Sequence, residues 1–399
     1  MKLMQINSVY DKGSTGRITR DIHSIALFNG IDSKVLYGRG IIQKDKRVKK
    51  ISTNREILTH LVETRVMDRH GFGSKKSTLN FIKEIEEFQP DILHLHNIHG
   101  YYLNVFMLFE YIKKTQIKVV WTLHDCWPFT GHCAYFDYAR CEKWKTECSQ
   151  CPEISSYPSS ILKDNSKGNF HNKKKSFTGM ENITIVTPSK WLKEKVKGSF
   201  LKKYPVFVIN NGIDLKQFKK TYSDFRDANK LKDKFIILGV ASVWDRRKGL
   251  DYFVELAKKI QKDEIIVLVG LSSKQIEKLP ENIIGISKTE NIQELASIYS
   301  TADVFINPTL EDNFPTTNLE SLACGTPVIT FNTGGSVESI FEGCGYIVDQ
   351  GDVEAIRKKI NLIKQQNRIV IEELCIQNAR KYFEKDINYN KYIDLYKSI

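Results

Sequence analysis

The sequence predicts an α/β protein built from two doubly wound domains, each a parallel sheet covered by helices on both faces. Three observations carry this. Short apolar runs alternate with amphipathic stretches twice along the chain, the pattern that builds parallel sheets. A polar connection beginning at Asn211-Gly212 and lasting to about Asp233 separates the two series. The chain has 399 residues, more than one ordinary core organises, so two domains are the default.

The first series opens with the apolar strand "KLMQI", then "TGRITRDIHSIALFNG", which has helical periodicity and stops at Gly30. "SKVLYG" reads as a strand, "ILTHLVETRVM" and "LNFIKEIEEF" as helices, and "DILHLHN" as a strand after Gln89-Pro90. "VFMLFEYIKK" is helical and "KVVWTLHD" a strand. The pattern breaks from Cys126 to Lys175, where aromatics, Cys, Ser and Lys crowd without period. It resumes with "ITIVTPS", the helix "KWLKEKVKGSFLKK" and the strand "PVFVIN". The second series runs "FIILGVAS", "LDYFVELAKKI", "EIIVLVG", "NIIGIS", "IQELASIYS", "VFINP", "NLESLAC", "PVITF" and "YIVD", with two closing helices. The expected division is a first domain over 1–210 with a Cys-rich insertion at 126–175, and a second over 211–384. A last helix over 385–399 is expected to pack back toward the first domain, and the two domains to face across a cleft.

Composition narrows the function classes. Hydrophobic residues make up 41% and aromatics 11%, too many for a disordered chain. No run of about 18 apolar residues occurs, and "MKLMQINSVYDKGSTG" lacks the apolar core of a signal peptide, so a cytoplasmic protein is expected. The formal charge of +13 is one-sided: residues 1–210 carry 34 Lys and Arg against 20 Asp and Glu, whereas 211–399 carry 26 against 27. A basic first half points to an anionic partner there, such as lipid head groups or diphosphates; solubility is the plainer explanation.

The stretch "TLEDNFPTTNLESLACGTPVITF" places Asp312 in a loop after a strand and Glu320 inside the following helix. Thr316 and Thr317 suit the helix start, whose free N–H groups and positive dipole end attract phosphate oxygens. Carboxylates accept paired hydrogen bonds from vicinal hydroxyls of a ribose or hexose. A capped surface helix with incidental acids would look the same. In "GVASVWDRRKGLDYF", Arg246, Arg247 and Lys248 sit at a strand-to-helix turn on the same edge, where cations would neutralise a diphosphate.

Taken together, "INSVYDKGSTGRI", "PDILHLHNIHGYYLN", "WTLHDCWPFTGHC", "VINNGID", "ASVWDRRKGLD" and "EDNFPTTNLESLACGTPVI" resemble the GT-B-fold retaining glycosyltransferases of family 4, of the bacterial capsule and exopolysaccharide type. The resemblance spans nearly the whole chain. The family signature is two glutamates with seven residues between; here Asp312 takes the first place and Glu320 the second. The resemblance implies that Asp312, with Asn313, Phe314, Pro315, Thr316 and Thr317, holds the donor sugar, and that Glu320 holds the ribose hydroxyls. Lys248, helped by Arg247, would stabilise the leaving diphosphate. Ser242 stands where many relatives have an Arg, so the clamp leans on Arg247. The glycine loop Gly13 to Gly16 would approach diphosphate or acceptor, and His124 would contact the transferred sugar.

Two clusters raise a metal question. His94, His96 and His99 alternate along a strand and into a loop, a pattern that suits packing or acceptor contact. Cys133, Cys141, Cys148 and Cys151 are spaced C-x7-C-x6-C-x2-C, whose last pair has a zinc-knuckle spacing; a structural zinc is expected, with free buried cysteines as the alternative. No Asp-x-Asp occurs, which fits a transferase whose phosphate cations are Lys and Arg, with no metal needed for catalysis. The helix at 190–204 sets Trp191, Leu192, Val196, Phe200 and Leu201 among lysines, as an anionic-membrane helix would; packing of that stripe on the sheet is the alternative.

The function expected from all this is hexosyl transfer, with retention, from a nucleoside-diphosphate sugar to a saccharide acceptor in surface polysaccharide biosynthesis. The acceptor is expected to be lipid-linked, the enzyme peripheral at the inner membrane face, and nucleic acid no partner. Alternatives are a GT-B-fold nucleotide-sugar epimerase or phosphorylase, or a basic zinc-containing nucleic-acid-binding protein.

Overall fold

Two parallel sheets hold every strand of the protein in the computed structural model, which describes residues 1–399. The chain divides into one unit of Met1–Asn210 with Tyr389–Ile399, and a second of Asn211–Asn388.

The first unit runs β1 (Lys2–Val9), α1 (Gly13–Phe28), β2 (Asp32–Arg39), β3 (Val48–Lys50), α2 (Asn54–Met67), α3 (Lys75–Phe88), β4 (Ile92–Leu95), α4 (Val105–Thr115), β5 (Lys118–Thr122), α5 (Ser166–Phe177), β6 (Ile183–Thr187), α6 (Lys190–Gly198) and β7 (Val206–Val208). Its sheet order is β3-β2-β1-β4-β5-β6-β7. The second unit contains α7 (Phe225–Ala228), β8 (Phe235–Val240), α8 (Leu250–Ala257), β9 (Glu264–Val269), α9 (Ser273–Ile276), β10 (Ile283–Ile286), α10 (Ile292–Thr301), β11 (Val304–Asn307), α11 (Thr316–Ala323), β12 (Val328–Phe331), β13 (Gly345–Val348), α12 (Val353–Gln365) and α13 (Arg368–Phe383). Its sheet order is β10-β9-β8-β11-β12-β13. The final helix, α14 (Lys385–Ser398), belongs to the first unit from Tyr389 onward.

The central strands read as unbroken apolar runs because both of their faces are covered: Ile92–Leu95, Ile183–Thr187, Val304–Asn307 and Val328–Phe331 are buried throughout. Each sheet reverses direction at its first strand. β2 and β4 flank β1, and β9 and β11 flank β8. The loops leaving the central pair therefore part company at the carboxyl edge, where sheets of this order take ligands.

Two expectations need correction here. The aperiodic stretch at 126–175 is not irregular to its end, since α5 begins at Ser166. Its inward face is Phe170, Lys173 and Phe177, and a lysine among the apolar positions hides the period. Lys173 lies over the Trp127 ring, its ammonium 3.4 Å from the centroid, and donates to the carbonyls of Trp127 and Thr130 at 2.7 and 3.0 Å. The second concerns α6. Leu192, Val196 and, past the helix end, Leu201 are fully buried in the first unit's core, and Lys195 pairs with Asp137 at 3.2 Å. The apolar stripe assigned to a membrane is packed against the sheet.

Candidate active site

At the carboxyl end of β8 the chain turns through Asp245, Arg246, Arg247 and Lys248 before α8. Asp245 caps this turn, accepting from the Lys248 N–H at 3.1 Å. Gly249 follows at φ +74, where a Cβ would stand 2.2 Å from the Pro308 carbonyl oxygen. Only glycine lets this turn lie so close to the loop that leaves β11. That loop is sewn to it: Leu310 N–H donates to the Arg247 carbonyl at 2.8 Å, and the Arg247 guanidinium to the Glu311 carbonyl at 2.8 Å. The result is a charged constellation at the reversal point of the sheet. Lys248 Nζ lies 2.6 Å from Asp312 Oδ2, and the Arg247 guanidinium 3.7 Å from the same oxygen. Burial pushes the Asp312 carboxyl up, but Lys248 and Arg247 override it and hold it below the usual carboxylate range. Asp312 is thus an anion at neutral pH, shared between two cations.

From Asp312 the chain passes buried Asn313, Phe314 and Pro315 into α11. Asn211 Nδ2 fixes the segment by donating to the Phe314 carbonyl at 3.1 Å. Pro315 occupies the helix N-cap, and no side chain caps the first turn. Thr316 and Thr317 are therefore first-turn residues, partly exposed, and not caps. The amide end of α11 remains open to an acceptor group, as an anion site requires. Glu320 lies one turn on, buried, with the Tyr299 hydroxyl donating to Oε2 at 3.2 Å.

A third loop, after β12, was missed in the sequence. Gly335 N–H donates to the Asp312 carbonyl at 3.3 Å, and a Cβ on Gly334, at φ +54, would meet that oxygen at 1.9 Å. The "NTGGS" turn at a strand's carboxyl end was the available signal. Gly334→Ala forces this loop off Asp312. Displacements near 1 Å at such sites cost up to about 100-fold in rate. We expect kcat/KM to fall at least about tenfold with secondary structure by circular dichroism retained; unchanged kinetics would show that the loop does not set Asp312.

In the first unit, His124 follows β5 at the carboxyl edge. Burial lowers its pKa to about 4, so its ring is neutral at neutral pH, and its Nε2 lies 3.2 Å from His96 Nδ1. Asp125 Oδ2 meets His99 Nε2 at 2.9 Å, while His99 Nδ1 reaches the Tyr157 hydroxyl at 3.0 Å. His94 bonds Thr122 and Tyr396, and His96 bonds Gln5. The three histidines thus belong to separate hydrogen-bond sets. Gly16 is not in a free loop: Gly13 to Gly16 form the first turn of α1, and Gly16 packs on the backbone of Tyr10 and Asp11.

The cysteines need the plainest correction. Cys133, Cys141, Cys148 and Cys151 line one cavity of about 10 Å³, yet no group of three or more His, Cys, Asp or Glu side chains is arranged to hold a metal ion. Cys133 and Cys151 hydrogen-bond to each other, and Cys148 Sγ accepts the Gly131 N–H at 3.2 Å. A groove of about 890 Å³ lies at the amino ends of β4 and β5, and none of Arg247, Lys248, Asp312, Glu320 or His124 lines it.

Comparison with known proteins identifies the fold's chemistry. Residues 222–382 match the sequence family described as glycosyl transferases group 1, and residues 53–217 match glycosyltransferase family 4. The putative colanic acid biosynthesis glycosyl transferase WcaC of Escherichia coli K12 is 25% identical over 372 residues, 88% of each chain. The capsular polysaccharide biosynthesis glycosyltransferase CapM of Staphylococcus aureus is 27% identical over 50% of this chain and 56% of its own length. Among solved structures, sucrose-phosphate synthase of Thermosynechococcus elongatus superposes with a TM-score of 0.74 at 15% identity, covering 100% of this chain and 98% of its own. Anabaena Alr3699/HepE with bound UDP-glucose gives 0.69 at 13% identity, with 100% of both chains covered. The two matched families tile most of the chain, one on each sheet, and the chain belongs to the GT-B-fold glycosyltransferases of family 4.

Proposed function

We propose that this enzyme moves a hexosyl group from a nucleoside-diphosphate sugar to a saccharide acceptor, with retention of anomeric configuration, in surface polysaccharide biosynthesis. The observation that carries the proposal is the Lys248–Asp312 contact, 2.6 Å long, at the reversal point of the second sheet with Arg247 beside it. Two cations and an open helix end on that edge suit a diphosphate, and a carboxylate among them suits sugar hydroxyls. Lys248 and Arg247 take the leaving diphosphate. Asp312 and the segment Asn313 to Thr317 hold the donor hexose, and Glu320 the ribose hydroxyls. The neutral His124 ring hydrogen-bonds the transferred sugar, and Gly16 keeps the turn after β1 close to diphosphate or acceptor.

In the reaction the bond from anomeric carbon to diphosphate oxygen breaks. The bond to the acceptor oxygen forms on the same face, and the acceptor's proton passes to the departing diphosphate. The WcaC relative's name supports the polysaccharide context. A Campylobacter jejuni relative, 24% identical over 49% of this chain, is named for transfer onto a diphospho-undecaprenol sugar, which supports a lipid-linked acceptor at the inner membrane face.

A panel of nucleoside-diphosphate sugars, scored by thermal stabilisation, tests the donor class. The true donor at about 100 times its Kd adds roughly 2.7 kcal/mol to the stability of the binding unit. Product anomer is then read by NMR. No stabilisation by any such donor, or an inverted product, overturns the proposal.

A further inference from the structure

Helix α2 is amphipathic in the wrong sense. Its buried positions are polar: His60, bonded to Ser74 and accepting the Gly71 N–H at 3.0 Å each, and Thr64, which donates to the His60 carbonyl. Its outward face, which also carries Arg55, Thr59 and Glu63, holds a row of aliphatic side chains. Leu58, Val62 and Val66 follow one another at i, i+4 and i+8, and Leu58 and Val62 are 61% and 53% exposed. At about 100° per residue, these three and Arg55 fall within roughly 80° of arc at the centre of the solvent face. The row continues onto the insertion. Ile161 N–H donates to the Arg65 carbonyl at 2.7 Å, which holds Ile161 and Leu162, both 75% exposed, beside the end of the helix. Surface leucines and valines scattered singly mean nothing, but a connected row of five is uncommon on a monomer's surface.

We propose that this face docks on an anionic lipid bilayer. The charges around it decide the occupant. Arg55, Arg69 and Lys163 are exposed along the row; the exposed acids beside it are Glu63 and Asp164, the latter accepting the Cys151 and Ser166 N–H groups, and the helix's other acid, Glu56, is turned away onto Ser77. Residues 44–76 carry ten Lys and Arg against four Asp and Glu. Aliphatic side chains interleaved with arginine suit an interface of acyl chain and phosphate head group, whereas a protein partner's apolar patch would leave the arginines unpaired. Placement agrees. α2 leaves the carboxyl end of β3, the outermost strand, and parallel strands put that end on the same edge as the turn after β1 and His124. A bilayer against α2 would lie beside that edge. The inference rests on the lipid-linked acceptor proposed above and replaces α6 as the contact.

The test is co-sedimentation with vesicles of phosphatidylglycerol and of phosphatidylcholine, at low and high salt, for the wild type, Val62→Glu/Leu162→Glu and Phe28→Glu. Phe28 is 92% exposed but ends α1, at the opposite edge of the sheet, and serves as control. The wild type and Phe28→Glu should bind anionic vesicles alike and release them as salt rises. The double variant should bind at least tenfold more weakly, with its melting temperature and its transfer to a short water-soluble acceptor unchanged. Equal binding by the double variant overturns the assigned surface while leaving membrane association standing. Failure of the wild type to bind any vesicle overturns the lipid-linked reading with it. Loss of self-association in the double variant, with vesicle binding intact, assigns the face to a second copy and overturns the bilayer.

Discussion

Lys248→Ala should lower kcat by about two to three orders of magnitude, the cost of removing one preorganised donor from the place where charge develops. The ammonium is positioned from both ends. Its backbone N–H is tied to Asp245 and its Nζ to Asp312. No core contact depends on it, so melting behaviour should change little. Lys248→Arg is not expected to restore the rate, because a planar fork does not reproduce a point charge on this stem. The measurement is steady-state kinetics with the identified donor, with KM separated from kcat. A large rise in KM at unchanged kcat would place Lys248 in ground-state binding. Wild-type kinetics would remove it from the site. Activity should show no titration of Asp312 between pH 6 and 9, because its pKa lies below the ordinary carboxylate value and the pair dissolves only as pH falls through that lower value.

Asp68→Ala should be the most destabilising substitution in the first unit outside the hydrophobic core. Asp68 ends α2 in the left-handed region, φ 51, and its carboxylate meets His132 Nδ1 at 2.6 Å with both side chains fully buried. Its second oxygen accepts the Asn165 N–H at 2.9 Å, and its carbonyl accepts from Asn169 at 2.7 Å. One residue thus pins both the start and the end of the Cys-rich insertion. Alanine leaves a buried imidazole and a backbone N–H unpaired, at about 3–5 kcal/mol. The unit's transition should fall by on the order of 10 °C or more. Hydrogen exchange should accelerate first across 130–170. Asp68→Asn keeps the backbone preference and one hydrogen bond, so a smaller fall is expected; equal falls would deny the carboxylate its role.

What the sequence made legible was what local chemistry determines. The inner strands of both sheets are apolar because they are covered twice, and the Asp312 loop announces itself by a strand, a turn and a periodic helix in succession. The Arg247–Lys248 turn and the Asp312 loop could be placed on one edge because parallel strands put like ends together. Pairings across sequence were not legible. His99 finds Asp125 only because β4 and β5 are neighbours, and Tyr157 reaches His99 from an aperiodic stretch. α5 hid behind Lys173, a cation held inside by carbonyls and a ring. In α6 a lysine-rich composition suggested water or lipid, but the three apolar residues that mattered face the sheet. For α2 the reverse held: the helix was visible, while its polar inward face was set by Ser74 and Gly71, which no periodicity foretells.

The last turns of α14 carry a consequence for synthesis. Tyr392 and Tyr396 are buried in the first unit, their hydroxyls 3.1 Å from Thr122 and 2.7 Å from His94. Those partners lie 270 and 302 residues earlier in the chain. A nascent chain that has completed β7 therefore still lacks a wall of its first hydrophobic core, and the ribosome must read through the whole second unit before that wall arrives. Until then Ile18, Ile22 and Val120, which share that core cluster with the two tyrosines, lack those partners. The half-made chain thus exposes apolar surface that the finished protein covers, and a fragment ending at Asn210 is expected in the insoluble fraction.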